Sequence, residues 1–202
     1  MQTKLRAIKD VSEVEVDLRS TEDGILGGVD IARIWTARGY GWSAMATAAV
    51  ASLIVRPTTV AIVTFYNNTA KNFVIERLFA HNLVSIANGQ FGIWYCMHPV
   101  SMTAPTNDIS IRNSTIGLAA GTEGIFDNGA TVIDDGWFPI GASNYSVTAT
   151  VPGSLAEAHV NGKLIVKPTA AISLSCVGQT AAVTVCMGLH YFSVPVSEFA
   201  LG

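Results

Sequence analysis

The chain has 202 residues, which is enough for one domain with a sizeable hydrophobic core. Half of its residues are hydrophobic, but only 13% are charged, against about 25% in an average soluble domain. The formal net charge of -3 argues against the basic surface that nucleic-acid binding requires, and the high hydrophobic content excludes intrinsic disorder.

The charged residues are distributed unevenly along the chain. Of the 12 basic and 15 acidic side chains, 13 lie in residues 1–40. We therefore predict an N-terminal arm or anchor, residues 1–40, followed by a β-sandwich domain, residues 41–202. The domain is so poor in charge that it is ill-suited to face water on all sides, so we expect other protein chains to cover much of its surface.

Within the arm, Gly24, Gly27 and Gly28 interrupt any helix. Arginine and aromatic side chains then alternate in a segment that we take as a candidate interface: Arg33, Trp35, Arg38, Tyr40 and Trp42. Such side chains bury large areas and are enriched at protein contacts. The same segment is equally compatible with an edge strand of the main domain.

Strand signals dominate from residue 50 onward. An apolar segment ends at Tyr66, residues 67–71 read as a polar turn, and the alternation of apolar side chains resumes with Phe73 and Ile75. The next apolar run, residues 91–100, is typical of a buried strand. Only three short stretches are helical candidates, namely 43–53, 115–123 and 153–159.

The second half of the domain continues this pattern. Asp127-Asn128-Gly129 and Asp135-Gly136 are tight-turn signals, residues 144–154 read as a strand, and residues 162–196 read as three more. Turn signals recur about every 8–14 residues, as in antiparallel sandwiches and barrels. The sequence therefore predicts an all-β protein with an antiparallel sandwich or barrel and an extended N-terminal arm.

Two features bear on the membrane and on the cell compartment. Residues 168–189 carry no charge, but Gly178 and the β-branched residues around it favour two strands over a membrane helix. Residues 1–20 lack the apolar segment of a secretory signal peptide. We therefore expect no membrane partner and cytoplasmic synthesis. The cysteines are expected to be reduced and buried, with a Cys176–Cys186 bond left open: Cys96, Cys176 and Cys186.

No pair of histidines or cysteines has metal-binding spacing, so we predict no metal site and no cofactor. The histidines are interpreted as polar strand-end, core or interface residues: His81, His98, His159 and His190. Asp134 and Asp135, with Asp127 and Glu123 nearby, form the main acidic cluster of the domain. Calcium binding by the Asp127–Asp135 loops and paired acid–base carboxylates stay open, but aspartate before glycine or asparagine favours backbone turns.

Nucleophile and phosphate-binding motifs are missing from the sequence. It contains no GxSxG, GxGxxG or GxxxxGK[ST] pattern. Cys96 with His98 and Asp108 has the residue types of a nucleophile set, but Cys96 lies in an aromatic strand, where a thiol is usually buried and inert. We therefore predict no catalytic residues and a protein that is not an enzyme.

Three segments of the domain carry a resemblance to a known family. They are VAIVTFYNNTAKNFVIERLFAHN (60–82), NGKLIVKP (161–168) and MGLHYFSVP (187–195). Together with the Arg38–Gly41 entry, they resemble strands of bacteriophage jelly-roll capsid decoration, or cement, proteins. The resemblance covers roughly residues 38–196 and rests on strand pattern; Thr169 departs from it, since a Pro-Gly turn is expected there.

The resemblance implies an antiparallel, jelly-roll-like β-sandwich of two sheets, with a homotrimer favoured, on the outside of a phage head. We accordingly expect a structural virion protein that stabilises the head by binding capsomer surfaces. Its partners would be the major capsid protein and copies of itself, without nucleic acid, and it would be made in the host bacterial cytoplasm. The alternative is a receptor- or carbohydrate-binding module of a tail or head fibre, with sugars stacked on Trp35, Trp42, Trp94 or Trp137.

Overall fold

The computed structural model describes residues 6–8, 15–17, 31–84, 90–99, 104–115, 117–118, 121, 123–142, 155–179 and 183–198. The chain divides into two compact units, Met1–Ile34 and Trp35–Gly202. In the first unit, strands β1 (Arg6–Ile8) and β2 (Glu15–Asp17) pair antiparallel. Helix α1 spans Ile31–Ala37.

The described part of the second unit forms two antiparallel sheets. The five-stranded sheet has the spatial order β10-β7-β12-β5-β9, and the six-stranded sheet has the order β11-β6-β13-β3-β8, with β4 beside β13. The strands are β3 (Gly41–Met45), β4 (Val50–Ala51), β5 (Val63–Tyr66), β6 (Lys71–Val84), β7 (Phe91–His98), β8 (Ile111–Asn113), β9 (Ile125–Asn128), β10 (Trp137–Ala142), β11 (Leu155–Val166), β12 (Ala171–Gly178) and β13 (Thr184–Pro195).

Eight of these strands pair in a nested order. β3 pairs with β13, β5 with β12, β6 with β11 and β7 with β10. The first of the eight strands therefore pairs with the last, the second with the second-last, and so on inward to the middle of the chain. The pairs β7–β12 and β6–β13 join these ribbons within each sheet. This is the topology of a jelly roll, and it confirms the predicted antiparallel β-sandwich.

The core lies between the inner faces of the two sheets, because alternate side chains of each strand point inward. At its centre Phe65 contacts three other rings, with centroid distances of 4.7 Å to Tyr191, 5.2 Å to Phe73 and 5.5 Å to Phe126. The buried hydroxyl of Tyr191 donates a hydrogen bond to the carbonyl of Glu123, so this polar group is satisfied inside the core. Burying one such ring is worth about 1.5–3 kcal/mol.

The predicted polar turn at residues 67–71 is confirmed, and Asn67 organises it. Its buried amide donates to the carbonyls of Lys71 and Val166, at 2.8 and 2.9 Å. Its carbonyl oxygen accepts hydrogen bonds from the backbone and hydroxyl of Thr69. An asparagine that bonds the chain two residues ahead is a common way to close a turn, here between β5 and β6.

The helical interpretation of residues 43–53 is wrong. Residues 43–45 belong to β3, which pairs with β13, and β4 pairs with the same strand further along. Trp42 and Ala44 point into the core, so burial and pairing override the local helix propensity. The candidate at 153–159 is likewise wrong from residue 155 onward, where β11 begins.

The sequence also indicates a helical candidate at 115–123 and a strand at 144–154. The described residues of 115–123 are not helical. The strand expected at 144–154 lies outside the described residues. In the described part of the chain, no helix is both long enough and apolar enough to cross a membrane.

Candidate functional site

The tryptophans proposed for sugar stacking are mostly inside the protein. Trp35, Trp42 and Trp137 are buried, and Trp94 is half-buried. Trp35 packs against Phe192 with ring centroids 5.4 Å apart. Because a buried indole cannot present its face to a ligand, three of these four rings are unsuited to bind sugar in this conformation.

The other predicted interface residues lie on α1 and shortly after it. Arg33 is in the helix itself. Arg38 and Tyr40 both donate hydrogen bonds to the carboxylate of Glu198, and the bond from Tyr40 raises the pKa of its phenol. Contact of these residues with another chain stays a prediction.

The predicted acidic cluster is divided among separate partners, so its members do not form one site. Burial raises the pKa of Asp127, whereas the bond from Arg56 lowers the pKa of Asp134. Among the described residues, no three metal-ligating side chains come together. The partners are Arg56 for Asp134, His98 for Asp135, Lys71 for Glu123 and the backbone N–H of Thr106 for Asp127.

The three cysteines are buried free thiols. Cys176 is on β12 in one sheet and Cys186 is on β13 in the other, so the two do not face each other across a hairpin. Burial raises the pKa of Cys176 to about 12 and also raises that of Cys96. These thiols therefore have the character of core side chains and not of nucleophiles.

A chain of four polar side chains lies on the outer face of the five-stranded sheet. The Nδ1 atom of His98 is 2.8 Å from Asp135, and its Nε2 atom is 2.8 Å from the hydroxyl of Ser173. That hydroxyl is also 3.0 Å from Thr64, the register partner of Ser173 on β5. With His98 neutral, Nδ1–H donates to Asp135, Ser173 donates to Nε2, and Thr64 donates to Ser173.

The order Asp135, His98, Ser173 matches that of a serine-hydrolase triad. However, Ser173 has no exposed surface. A groove of about 600 Å³, walled by Met97 and Pro168, reaches His98 and Asp135, but Ser173 is not among its lining residues. In this conformation the chain of hydrogen bonds therefore fastens the Asp135 loop to the sheet.

Two loops, residues 52–62 and 129–136, pack on this outer face. Their buried side chains form a small second core with the sheet, which consists of Ala61, Cys96, Ala130, Val132 and Trp137. The backbone N–H of Val132 donates to the carbonyl of Thr59 at 2.9 Å, and the indole of Trp137 donates to Thr58 at 2.8 Å. The guanidinium of Arg56 forms two hydrogen bonds with Asp134, at 2.7 and 2.9 Å. The loops are thus tied to each other as well as to the sheet.

These loops present apolar side chains to solvent. Ile54, Val55, Val60 and Ile133 are 61%, 65%, 54% and 65% exposed. Val55 and Ile133 each precede a member of the Arg56–Asp134 pair, Ile54 precedes Val55, and Val60 bridges to Thr131, two residues before Ile133. We call these four residues the loop patch. Large apolar side chains exposed on loops that are joined in this way are a candidate contact site.

A second polar row crosses the outer face of the six-stranded sheet. Ser43 on β3 is 2.6 Å from Nδ1 of His190 on β13, and Nε2 of His190 is 2.7 Å from the guanidinium of Arg77 on β6. Arg77 also binds Glu157 on β11 at 2.8 Å, and Glu157 contacts His159 at 3.3 Å. Burial, and then Arg77, lower the pKa of His190.

Sequence reasoning missed both polar arrangements. It treated His98 as a polar strand end and Asp135 as a turn residue, and it assigned no role to Arg77 or Glu157. The only available signal was the occurrence of polar residues within otherwise apolar strands, such as Ser173 on β12.

The fold defines the class of the protein as a jelly-roll β-sandwich. No family model matches the chain, and no curated protein or solved structure is significantly similar to it.

Proposed function

We propose that the protein is a structural subunit of a bacteriophage particle, namely a capsid decoration protein that stabilises the head by binding capsomer surfaces. Its partners in this proposal are the major capsid protein and further copies of the chain, with a trimer as the assembled form. The resemblance of residues 60–82, 161–168 and 187–195 to such proteins motivates the proposal, and the jelly-roll topology is consistent with it.

The loop patch is the observation that carries this proposal. Four large aliphatic side chains are exposed on loops that the Arg56–Asp134 pair and further hydrogen bonds hold in place. Fixed loops lose little conformational freedom when they bind, so most of the hydrophobic gain is available for association. The low charge of the domain also favours association with other protein chains, because few charged groups would have to be desolvated in an interface.

The native mass of the purified protein tests the assembly. We expect a trimer by sedimentation or native mass spectrometry, and a monomer at micromolar concentration would overturn this part of the proposal.

Binding to purified phage heads tests the role of the loop patch. Ile133→Asp and Val55→Asp should abolish co-sedimentation with heads, because each places an unpaired carboxylate in the interface. Val196→Asp changes another exposed aliphatic residue, outside the loop patch, and should bind like the wild type. Circular dichroism checks that all three variants are folded. Undiminished head binding by both patch variants would exclude the loop patch as the binding surface.

A further inference from the structure

A shallow hollow of about 210 Å³ lies on the outer face of the six-stranded sheet, beside the polar row. It belongs to the sheet opposite the one that the loops cover, so it is separate from the loop patch. Its lining side chains belong to β11, to β6 and, across β13, to β3. They are Met45, Arg77, Phe79, His81, Leu155 and Glu157.

The floor of the hollow includes an aromatic ring that is held in place. Phe79 leans over Gly188 on β13, where a Cβ atom would lie only 2.5 Å from the ring. The guanidinium carbon of Arg77 is 5.7 Å from the ring centroid, and the ring of His190 is 5.3 Å away. The aromatic surface is therefore preformed and needs no rearrangement to accept a ligand.

The charges in the hollow cancel, while hydrogen-bonding capacity remains. Arg77 and Glu157 form an ion pair at 2.8 Å, so the hollow offers no net charge to attract an ion. Two of the five N–H groups of the guanidinium suffice for the bonds to Glu157 and His190, and each carboxylate oxygen can accept a further bond. These groups are suited to a neutral ligand that carries hydroxyl groups.

The edges of the hollow are apolar. Met45 and Leu155 are about half exposed, and they flank Phe79 and the polar pair. A ligand that fits must therefore combine an apolar C–H surface for these side chains with hydroxyl groups for Arg77 and Glu157. Its size is limited to a small ring, since drug-sized ligands occupy pockets of about 300–1,000 Å³.

A sugar ring combines these properties, and we propose that this hollow binds a single sugar residue of a glycan. Phe79 lies against the C–H face of the ring, and Arg77 and Glu157 bond its hydroxyl groups. The proposal goes beyond the structural role and does not depend on it, because a subunit attached through the loop patch keeps this opposite face free.

Nitrogen-15 NMR spectra of the full chain test the proposal with four probes, the methyl glycosides of glucose, galactose, mannose and N-acetylglucosamine. At least one probe should shift the amide signals of residues 43–45, 77–81 and 155–159 in a saturable way. Glu157→Gln and Phe79→Ala should each weaken that affinity about tenfold or more, since each removes a principal contact.

Matched variants control for indirect effects. Glu198→Gln changes a glutamate that also pairs with an arginine, and Phe138→Ala removes an exposed ring elsewhere. Both should bind the probe like the wild type. Glu157→Gln changes a half-buried side chain without changing its size, so it still tests the proposal if Phe79→Ala does not fold. The proposal is wrong if no probe shifts these signals, if the shifts map to another surface, or if Glu157→Gln binds with unchanged affinity.

Discussion

The ring of Phe79 occupies the space above Gly188, on the neighbouring strand. A Cβ atom at Gly188 would lie 2.5 Å from that ring and 2.4 Å from the carbonyl oxygen of Ala44, so no side chain fits there without movement. Gly188→Ala should therefore lower the free energy of unfolding by about 1–3 kcal/mol, the usual cost of overpacking. Urea denaturation measures this change. Gly92→Ala, whose nearest neighbour would be 3.2 Å away, should cost less, and an equal or smaller loss at Gly188 would contradict the packing argument.

The two serines on β12 provide a matched test of the polar chain. Both are fully buried, but Ser173 bonds His98 and Thr64, whereas the hydroxyl of Ser175 has no hydrogen-bond partner. Ser173→Ala should lower the free energy of unfolding by about 1–3 kcal/mol, because it leaves two buried groups unsatisfied. Ser175→Ala should raise it by about 1 kcal/mol, since it removes an uncompensated hydroxyl. Equal effects of the two changes, by chemical denaturation, would show that the polar chain adds nothing to stability.

His190 should make the stability depend on pH. Burial and Arg77 lower its pKa below the usual 6.5 in the folded protein, while Glu157 acts in the opposite direction. The unfolded state then binds more protons than the folded state, so the stabilisation is complete above pH 6.5 and is lost as the pH falls through and below that value. His190→Gln, which can still bond Ser43 and Arg77, should show a flatter stability profile from pH 8 downward. Parallel profiles for the variant and the wild type would refute this assignment, and NMR titration of the imidazole provides an independent check.

The buried thiols should resist alkylation in the folded protein. With the pKa of Cys176 raised to about 12, only about one thiol in ten thousand is ionised at pH 8, and burial also limits reagent access. Iodoacetamide should leave Cys96, Cys176 and Cys186 unmodified in native buffer and label all three in guanidinium chloride. Mass spectrometry counts the modified sites. Rapid labelling of Cys176 without denaturant would mean that β12 opens locally.

The sheet architecture was largely predictable from local sequence, whereas the short N-terminal strands of the domain were not. In the run 91–100, apolar side chains bounded by a proline indicated a strand, and β7 occupies Phe91–His98. The alanine-rich stretch from residue 43 gave a helical signal because nothing local reveals its pairing with β13. Small side chains such as Ala44 fit the crowded inner face of the sheet, a constraint that only the tertiary structure supplies.

The candidate sites were not predictable, because strand register creates them. Ser43 and His190 are 147 residues apart in the chain, and the β3–β13 register makes them neighbours. The pairing of Arg77 with Glu157 likewise depends on β6 and β11 lying side by side. His98 and Asp135 meet because a covering loop folds back onto the sheet. A single sequence contains no measure of register or of loop closure.

The nested strand order has a consequence for synthesis of the chain. β13, the last strand in the described part of the chain, lies between β6 and β3 in the six-stranded sheet. Until the ribosome has released residues 184–195, these two earlier strands have no central partner and expose unpaired backbone edges. At a synthesis rate of about 5–20 residues per second, the nascent chain must therefore wait about ten seconds or more before that sheet can close. We expect chaperones to protect it during this interval, and we expect deletion of β13 to yield an aggregated product.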